Sequence, residues 1–375
     1  MINLKHLFTA LLLLCSTIAF SENVVIDGIA YDLVAKAKQA KVVSSDNYEG
    51  DIVIPESVEH NGVTYSVTSI GYKAFANCGD LTSIDIPNSV TKIEDSAFKS
   101  CTRLINIKIP NSVISIGYRA FVDCCCLTEV TIGSGLTSIG DEAFKICTEL
   151  TSVTMGNNVT TIGDGAFADC FNLTKIKIPD SVTDIGDKSF SNCTGLKSIE
   201  IPNSVTSIKE KTFYRCTNLT SITIGCGVKE IDSQAFAQCS NLTDVYCLAT
   251  RTPSTEADVF DESYPEYMTL HVPAEAINDY KTTAPWRFFG NIVKIENANN
   301  INAVPNTTTF ITSKGGSITI QSPLEHETVE VYTIDGAFVD ANTINNGTTT
   351  IQAGMSQGAI VIIKIGAKSI KTIMR

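Results

Sequence analysis

Leu81-Thr82-Ser83-Ile84-Asp85-Ile86-Pro87-Asn88-Ser89-Val90-Thr91-Lys92-Ile93-Glu94-Asp95-Ser96-Ala97-Phe98-Lys99-Ser100-Cys101 is one copy of a unit that returns every 23 residues. Phe75, Phe98, Phe121, Phe144, Phe167, Phe190, Phe213 and Phe236 hold that spacing, and Cys78, Cys101, Cys124, Cys147, Cys170, Cys193, Cys216 and Cys239 follow three residues behind. A fixed period of this length marks a solenoid. One coil cannot bury its own apolar side, so stability comes from stacking each coil on the next.

Within the unit, Leu81, Ile84 and Ile86 alternate as a short strand does, and successive copies are expected to pair in parallel, coil upon coil. Pro87, Pro110, Pro179 and Pro202, or Gly133, Gly156 and Gly225, end that strand. Asp95, Asp141, Asp164 and Asp187 precede the Phe-x-x-Cys segment, where each is expected to cap one helical turn that turns Phe and Cys inward. The residue before each Phe is small: Ala74, Ala97, Ala120, Ala143, Ala166, Ser189, Thr212 or Ala235.

Across residues 69–248 this pattern resembles the BspA-like leucine-rich repeats of bacteria; Ile-Gly leading into Phe-x-x-Cys recurs from Ile70, Ile116, Ile139, Ile162 and Ile185. Lys209 and Asp232 replace the glycine in late coils, and Cys247 replaces a strand isoleucine. The expected fold class is an α/β solenoid of 23-residue coils with parallel strands, a β-rich N-terminal cap and a small C-terminal all-β sandwich. The resemblance implies a secreted or surface-exposed recognition protein that adheres to host or bacterial partners.

Residues 1–21 read as a secretory signal peptide: Lys5, an apolar run from Leu7 to Leu14, and Ala19-Phe20-Ser21 as exit. Residues 22–68 contain strand-like runs with turns at Asp27-Gly28 and Asn61-Gly62 and read as a cap of hairpins, with Asp51–Pro55 among them. After the solenoid, 249–298 offers a strand, a short helix and Trp286 as an aromatic plug or ligand cage; 299–306 is an Asn-rich linker. Residues 307–375 return to alternation and read as a β-sandwich. Val331-Tyr332-Thr333-Ile334-Asp335-Gly336, Gly358 and the basic end at Lys368, Lys371 and Arg375 resemble C-terminal sorting domains of type IX secretion, with Ala359 and Ile360 where an aromatic is common. A generic accessory β-domain is the alternative.

Removing the signal leaves 27 basic and 40 acidic residues, a net charge near −13, which argues against nucleic acid or anionic membrane as partners. The eight repeat-position cysteines are expected to be buried thiols acting as small hydrophobes, because parallel side chains on stacked coils are poorly placed to bridge. Cys125, Cys126, Cys226 and Cys247 fall off that ladder and are the expected sites of any oxidation.

No cofactor or metal spacing is present, and no transmembrane span. Gly354-Met355-Ser356-Gln357-Gly358 matches a nucleophile elbow in letters only, since neither Asp nor His follows it. Enzyme activity is not expected. What remains is the outward side of the strands: Ser83, Asn106, Glu129, Ser152, Lys175, Ser198, Ser221 and Asp244 in one column, and Asp85, Lys108, Thr131, Thr154, Lys177, Glu200, Thr223 and Tyr246 in the other. Lys108, Glu129, Lys175, Lys177, Glu200, Asp244 and Tyr246 form the candidate binding face for a protein or glycan on a host or neighbouring bacterial surface. A structural spacer of the envelope or matrix is the alternative.

Overall fold

The computed structural model describes residues 21–45, 48–295, 310–314, 317–321, 327–333, 337–344, 348–352, 354, 360–365 and 368–373. Contacts gather the chain into two compact units, residues 1–296 and 297–375. The expected signal peptide, the linker and most of the Gly-x-Ser-x-Gly stretch lie outside the described residues.

The first unit is a winding of short strands with almost no helix. Its first wall is made of the Ile-x-Ile strands, from Gly50–Val53 and Leu81–Asp85 through Asn106–Ile109, Glu129–Ile132, Ser152–Thr154, Lys175–Ile176, Ser198–Ile201, Ser221–Ile224 and Asp244–Cys247 to Thr269–Val272 and Asn291–Lys294. Neighbours pair in parallel at the repeat distance, as in Glu129 opposite Ser152 and Ser221 opposite Asp244. The inward residues Ile107, Val130, Val153, Ile199, Ile222 and Val245 are all buried.

A second parallel wall was not anticipated. The two-residue strands Lys92–Ile93, Ser115–Ile116, Ser138–Ile139, Thr161–Ile162 and Asp184–Ile185 stack in register, and Ser207–Ile208, Glu230–Ile231 and Ser254–Thr255 form a further set. Pairs this short show no alternation to read.

The third wall carries Phe and Cys, and here the expected helical turn gives way to something else. Two residues per coil hold positive φ, among them Ser96 and Ser100, Arg119 and Asp123, Glu142 and Ile146. Such angles break a helix and cost energy for side chains other than glycine. They are held because every second amide bonds to the next coil: Phe98 N–H donates to Ala120 O at 2.7 Å, and Ser100 N–H to Val122 O at 2.8 Å. The corner aspartates likewise cap the following coil instead of their own turn. Asp95 Oδ1 accepts from Tyr118 N–H at 2.9 Å, Asp141 from Asp164 at 2.9 Å, Asp164 from Asp187 at 2.8 Å and Asp187 from Glu210 at 3.1 Å. This explains the glycine beside them, since a Cβ on Gly117, Gly163 or Gly186 would stand 2.4–2.5 Å from the carboxylate of the coil below.

Phe75 to Phe236 are fully buried and stack face to face, with centroids 4.9–5.7 Å apart and planes within 10°. Tyr48 closes the column at its start, tilted on Phe75 at 4.5 Å. Phe260 extends it, and Trp286 and Phe289 end it edge-on to Phe260 at 5.9 and 5.1 Å. Trp286 is fully buried with Nε1–H donated to Pro253 O at 3.2 Å, so it is a plug and not a cage.

At the N-terminal end, Ser21–Ile26 and Ile29–Val34 form the expected hairpin over Asp27-Gly28, and Ser57–His60 and Val63–Ile70 form another over Asn61-Gly62. Asp51–Val53 differs from expectation: Ile52 and Val53 pair in parallel with Ile84 and Asp85, making this segment the first rung of the solenoid. The second hairpin is an insertion within that first coil, which hides its period.

The second unit holds two antiparallel sheets, one of Phe310–Lys314, Ser317–Gln321 and Thr348–Gln352, the other of Thr328–Thr333, Phe338–Thr343, Ile360–Ile365 and Lys368–Ile373. Ile318, Ile320, Val329, Val331, Ile344, Ile351, Ile363 and Ile365 share its core.

Candidate functional site

The outward side of the first wall is set by register. Asn106, Glu129, Ser152 and Lys175 stand in line, and Lys108, Thr131 and Thr154 beside them. Ser198, Ser221, Asp244, Thr269 and Asn291 make a second line, with Glu200, Thr223, Tyr246, His271 and Val293 next to it. Lys108, Glu129, Lys175, Lys177 and Glu200 are exposed, while Asp244 and Tyr246 are half-buried. Lys177 lies just past its strand, which ends at Ile176, and no ladder joins Lys175–Ile176 to Ser198–Ile201. The candidate residues therefore fall on two panels, not one uninterrupted stripe.

Among the described residues, no carboxylate lies within ion-pair distance of Lys108, Lys175 or Lys177. The Glu200 carboxyl is pushed upward by lost solvation, against the pull of Lys177. On the second panel His271 Nε2 meets Asp244 Oδ1 at 2.9 Å, Thr243 Oγ1 donates to Asp244 Oδ2 at 2.8 Å, and the His271 ring stacks on Tyr246 with centroids 4.1 Å apart. The His271 hydrogen bond holds Asp244 below the usual carboxylate range. Sequence reasoning missed His271 because it stands 27 residues after Asp244, off the period. Its Nε2 is engaged with the Asp244 carboxylate, and the cluster pairs an imidazole with a carboxylate and an aromatic ring without placing a nucleophile beside a base.

Along one edge of this face, hydroxyls tie side chains down to the coil below. Thr128 Oγ1 donates to Ile105 O, Thr151 to Thr128 O and Thr174 to Thr151 O, at 3.0–3.2 Å.

Inside, the cysteine ladder has a chemistry beyond bulk. Each thiol donates to the phenylalanine carbonyl of the preceding coil: Cys101 to Phe75, Cys124 to Phe98, Cys147 to Phe121, Cys170 to Phe144, Cys193 to Phe167, Cys216 to Phe190 and Cys239 to Phe213, at 3.1–3.3 Å. These seven are fully buried, and Cys78 at the end of the ladder is half-buried. Of the four off-ladder cysteines, Cys126 and Cys226 are exposed, and Cys125 lies half-buried against Asp123. Cys247 is a core thiol 3.2 Å from the Tyr280 hydroxyl, because its strand position points inward.

In the coil after Cys239 the equivalent donor is Ser263, whose Oγ bonds Phe236 O at 2.6 Å. A hydroxyl thus finds a partner at this position. Cys147→Ser is expected to cost about 1 kcal/mol or less, whereas Cys147→Leu, which overfills the site, costs about 1–3 kcal/mol. Urea titration of both variants checks this; equal losses would show that the donor is not what the position requires.

A solenoid of parallel short strands with inward Leu, Ile, Phe and Cys at a 23-residue period is a leucine-rich repeat protein. The model of the BspA type leucine rich repeat region matches in six copies over residues 68–194 and 160–281, more than half of the chain, and the chain belongs to that family. Among solved structures it is similar to a leucine rich cell surface protein of Faecalibacterium prausnitzii, at 25% identity over 75% of this chain and 97% of that one, with a TM-score of 0.42. A leucine-rich repeat protein of T. pallidum is 22% identical over 59% of this chain and 91% of its own, TM-score 0.42. One from Bacteroides ovatus is 23% identical over 73% and 100%, TM-score 0.32. No curated protein matches the chain. No described helix is long and apolar enough to cross a membrane.

Proposed function

We propose that this is an exported bacterial recognition protein that binds a protein or glycan on a host or neighbouring cell through the outward side of its first wall. The observation that carries the reading is a mixed-charge outward face on a register-locked sheet, with exposed Lys108, Glu129, Lys175 and Lys177, followed by the Asp244–His271–Tyr246 cluster. Exposed charge of both signs on a stiff backbone contributes association rate and specificity more than raw affinity. Membership of a family that includes surface proteins supports the placement outside the cell.

Binding is measured with the full mature chain against immobilised extracellular-matrix proteins and a glycan array. We expect saturable, salt-weakened binding that falls several-fold in Lys175→Glu/Lys177→Glu, because exposed charges are screened. Unaltered affinity and salt dependence in the double variant would remove this face from the function. The threonine collar favours a second reading, a spacer, in which the wall is solvated structure and no surface saturates.

The C-terminal unit, with its separate core, is inferred to direct export. Deleting residues 307–375 is expected to leave the thermal unfolding of the solenoid nearly unchanged while trapping the protein inside the outer envelope. Normal surface display of the shortened chain would assign it another role.

A further inference from the structure

At one coil boundary both sheet walls of the solenoid come apart together. The first wall stops at Lys175–Ile176 and resumes at Ser198–Ile201; the second stops at Asp184–Ile185 and resumes at Ser207–Ile208. The first wall has one other interruption, between Leu81–Asp85 and Asn106–Ile109, but there the second wall runs through unbroken from Val63–Ile70 to Ser115–Ile116.

The bonds tell the same story. Thr174 N–H donates to Thr151 O, Thr183 N–H to Thr160 O and Gly186 N–H to Ile162 O, at 2.8–3.0 Å; one coil later, Thr220 donates to Lys197 O, Lys229 to Thr206 O and Asp232 to Ile208 O. Between them the equivalent amides of Lys197, Thr206 and Lys209 make no bond to the coil below. The threonine collar breaks there too, since Lys197 occupies the hydroxyl position.

What is lost is the backbone ladder alone: the third wall and the core continue across, and side chains still bridge the gap. Lys209 Nζ pairs with Asp184 Oδ1 at 2.9 Å, Glu210 N–H donates to Asp187 Oδ1 at 3.1 Å and Ser204 Oγ donates to Val182 O. Lys188 N–H donates to Glu210 O, Phe190 to Thr212 O and Asn192 to Tyr214 O, at 2.8–2.9 Å; Phe190 and Phe213 remain stacked at 5.5 Å.

Three side chains account for the parting. Lys209 replaces the corner glycine, where a Cβ on the neighbouring Gly186 would already meet the coil below at 2.4 Å. Ser189 and Thr212 replace alanine beneath the phenylalanines, and both are fully buried. Thr212 Oγ1 turns back to Lys209 O, and Ser189 Oγ has no hydrogen-bond partner. Each demands space that the tight stack elsewhere denies.

We propose that this boundary is a hinge. The solenoid bends there about its third wall, opening the first and second walls, so that residues up to Ile185 and residues from Ser198 move as two stiff arms. The outward sheet is then presented as two panels whose mutual angle varies, with Lys175 and Lys177 at the rim of one and Glu200 at the rim of the other. The hinge stands on backbone bonding and packing, and holds whether or not those panels bind a partner.

Residue-resolved hydrogen–deuterium exchange of the full mature chain tests it. The amides of Lys197, Thr206 and Lys209 are expected to exchange at least ~10-fold faster than those of Thr174, Thr183 and Gly186, which lie in equivalent positions one coil earlier. In Ser189→Ala/Lys209→Gly/Thr212→Ala, which restores the residues found in the tighter coils, that excess is expected to disappear. Equal protection at both boundaries in the unaltered chain overturns the hinge. An excess that survives in the triple variant overturns these residues as its cause.

Discussion

Raising the pH from about 9 to about 11 is expected to unfold the solenoid steeply, with a slope far greater than one thiol could produce. Burial holds Cys124, Cys147, Cys193 and Cys216 above the ordinary thiol value of 9.0 and pushes Cys239 up to about 12. Cys101 and Cys170 move the same way, Cys101 chiefly through its neighbour Cys124 and Cys170 through burial. In the unfolded chain these thiols ionise near their ordinary value. Above that pH the unfolded state releases protons that the folded state keeps, so stability is complete below about pH 9 and drains away as pH rises. Each thiol contributes at most about 1.4 kcal/mol per pH unit in that window, so seven together approach about 10 kcal/mol per unit well above pH 9. Urea midpoints between pH 7 and 11 under reducing conditions measure this. Replacing Cys124, Cys147 and Cys170 with serine should flatten the slope by nearly half; an unchanged slope would show that the thiols ionise freely in the folded chain.

Phe144→Ala is expected to cost about 3–5 kcal/mol, the range for emptying a packed aromatic site. Phe144 is fully buried between Phe121 at 5.0 Å and Phe167 at 5.5 Å, and each neighbour's ring is held in turn by its own stack. In a linear array a weakened coil also weakens its two interfaces, so the transition should broaden as the two sides begin to unfold separately. Calorimetry reads both effects. A loss below about 1 kcal/mol would mean that the coils close over the gap, and that the aromatic column is not what joins them.

The inward residues were legible because their spacing has one cause repeated eight times: Leu, Ile, Phe and Cys must face a neighbour at the same angle in every coil. The positive-φ corners were illegible for the opposite reason. Arg119, Glu142, Lys188 and Lys211 occupy the first of each pair, with glycine only at Gly165. Although Asn77, Asp123, Asp169 and Asn192 favour such angles at the second, Ile146 and Arg215 do not, so no consistent turn residue marks the conformation; inter-coil bonds impose it. The corner aspartates were correctly seen as acceptors, but local sequence does not say which coil supplies the amide. On the candidate face, columns could be listed from the period alone, yet the break beside Lys177 depends on Ser189, Lys209 and Thr212 crowding another wall. His271 could have been found only by extending the strand pattern into Thr269–Val272, past the end of the strict repeat.

Every coil in the regular region presents the same offer to its neighbours: a phenylalanine carbonyl awaiting the next thiol, and at most corners an aspartate awaiting the next amide. Along the phenylalanine and cysteine wall the interface between two coils is therefore nearly the same wherever it is cut, even where the other two walls part. Whole units of 23 residues can be gained or lost between Tyr48 and Trp286 without leaving a donor or acceptor unmatched, so long as the two closing aromatics are kept. Length is the one dimension this architecture leaves free, and a lineage could adjust how far the solenoid extends without redesigning how it folds.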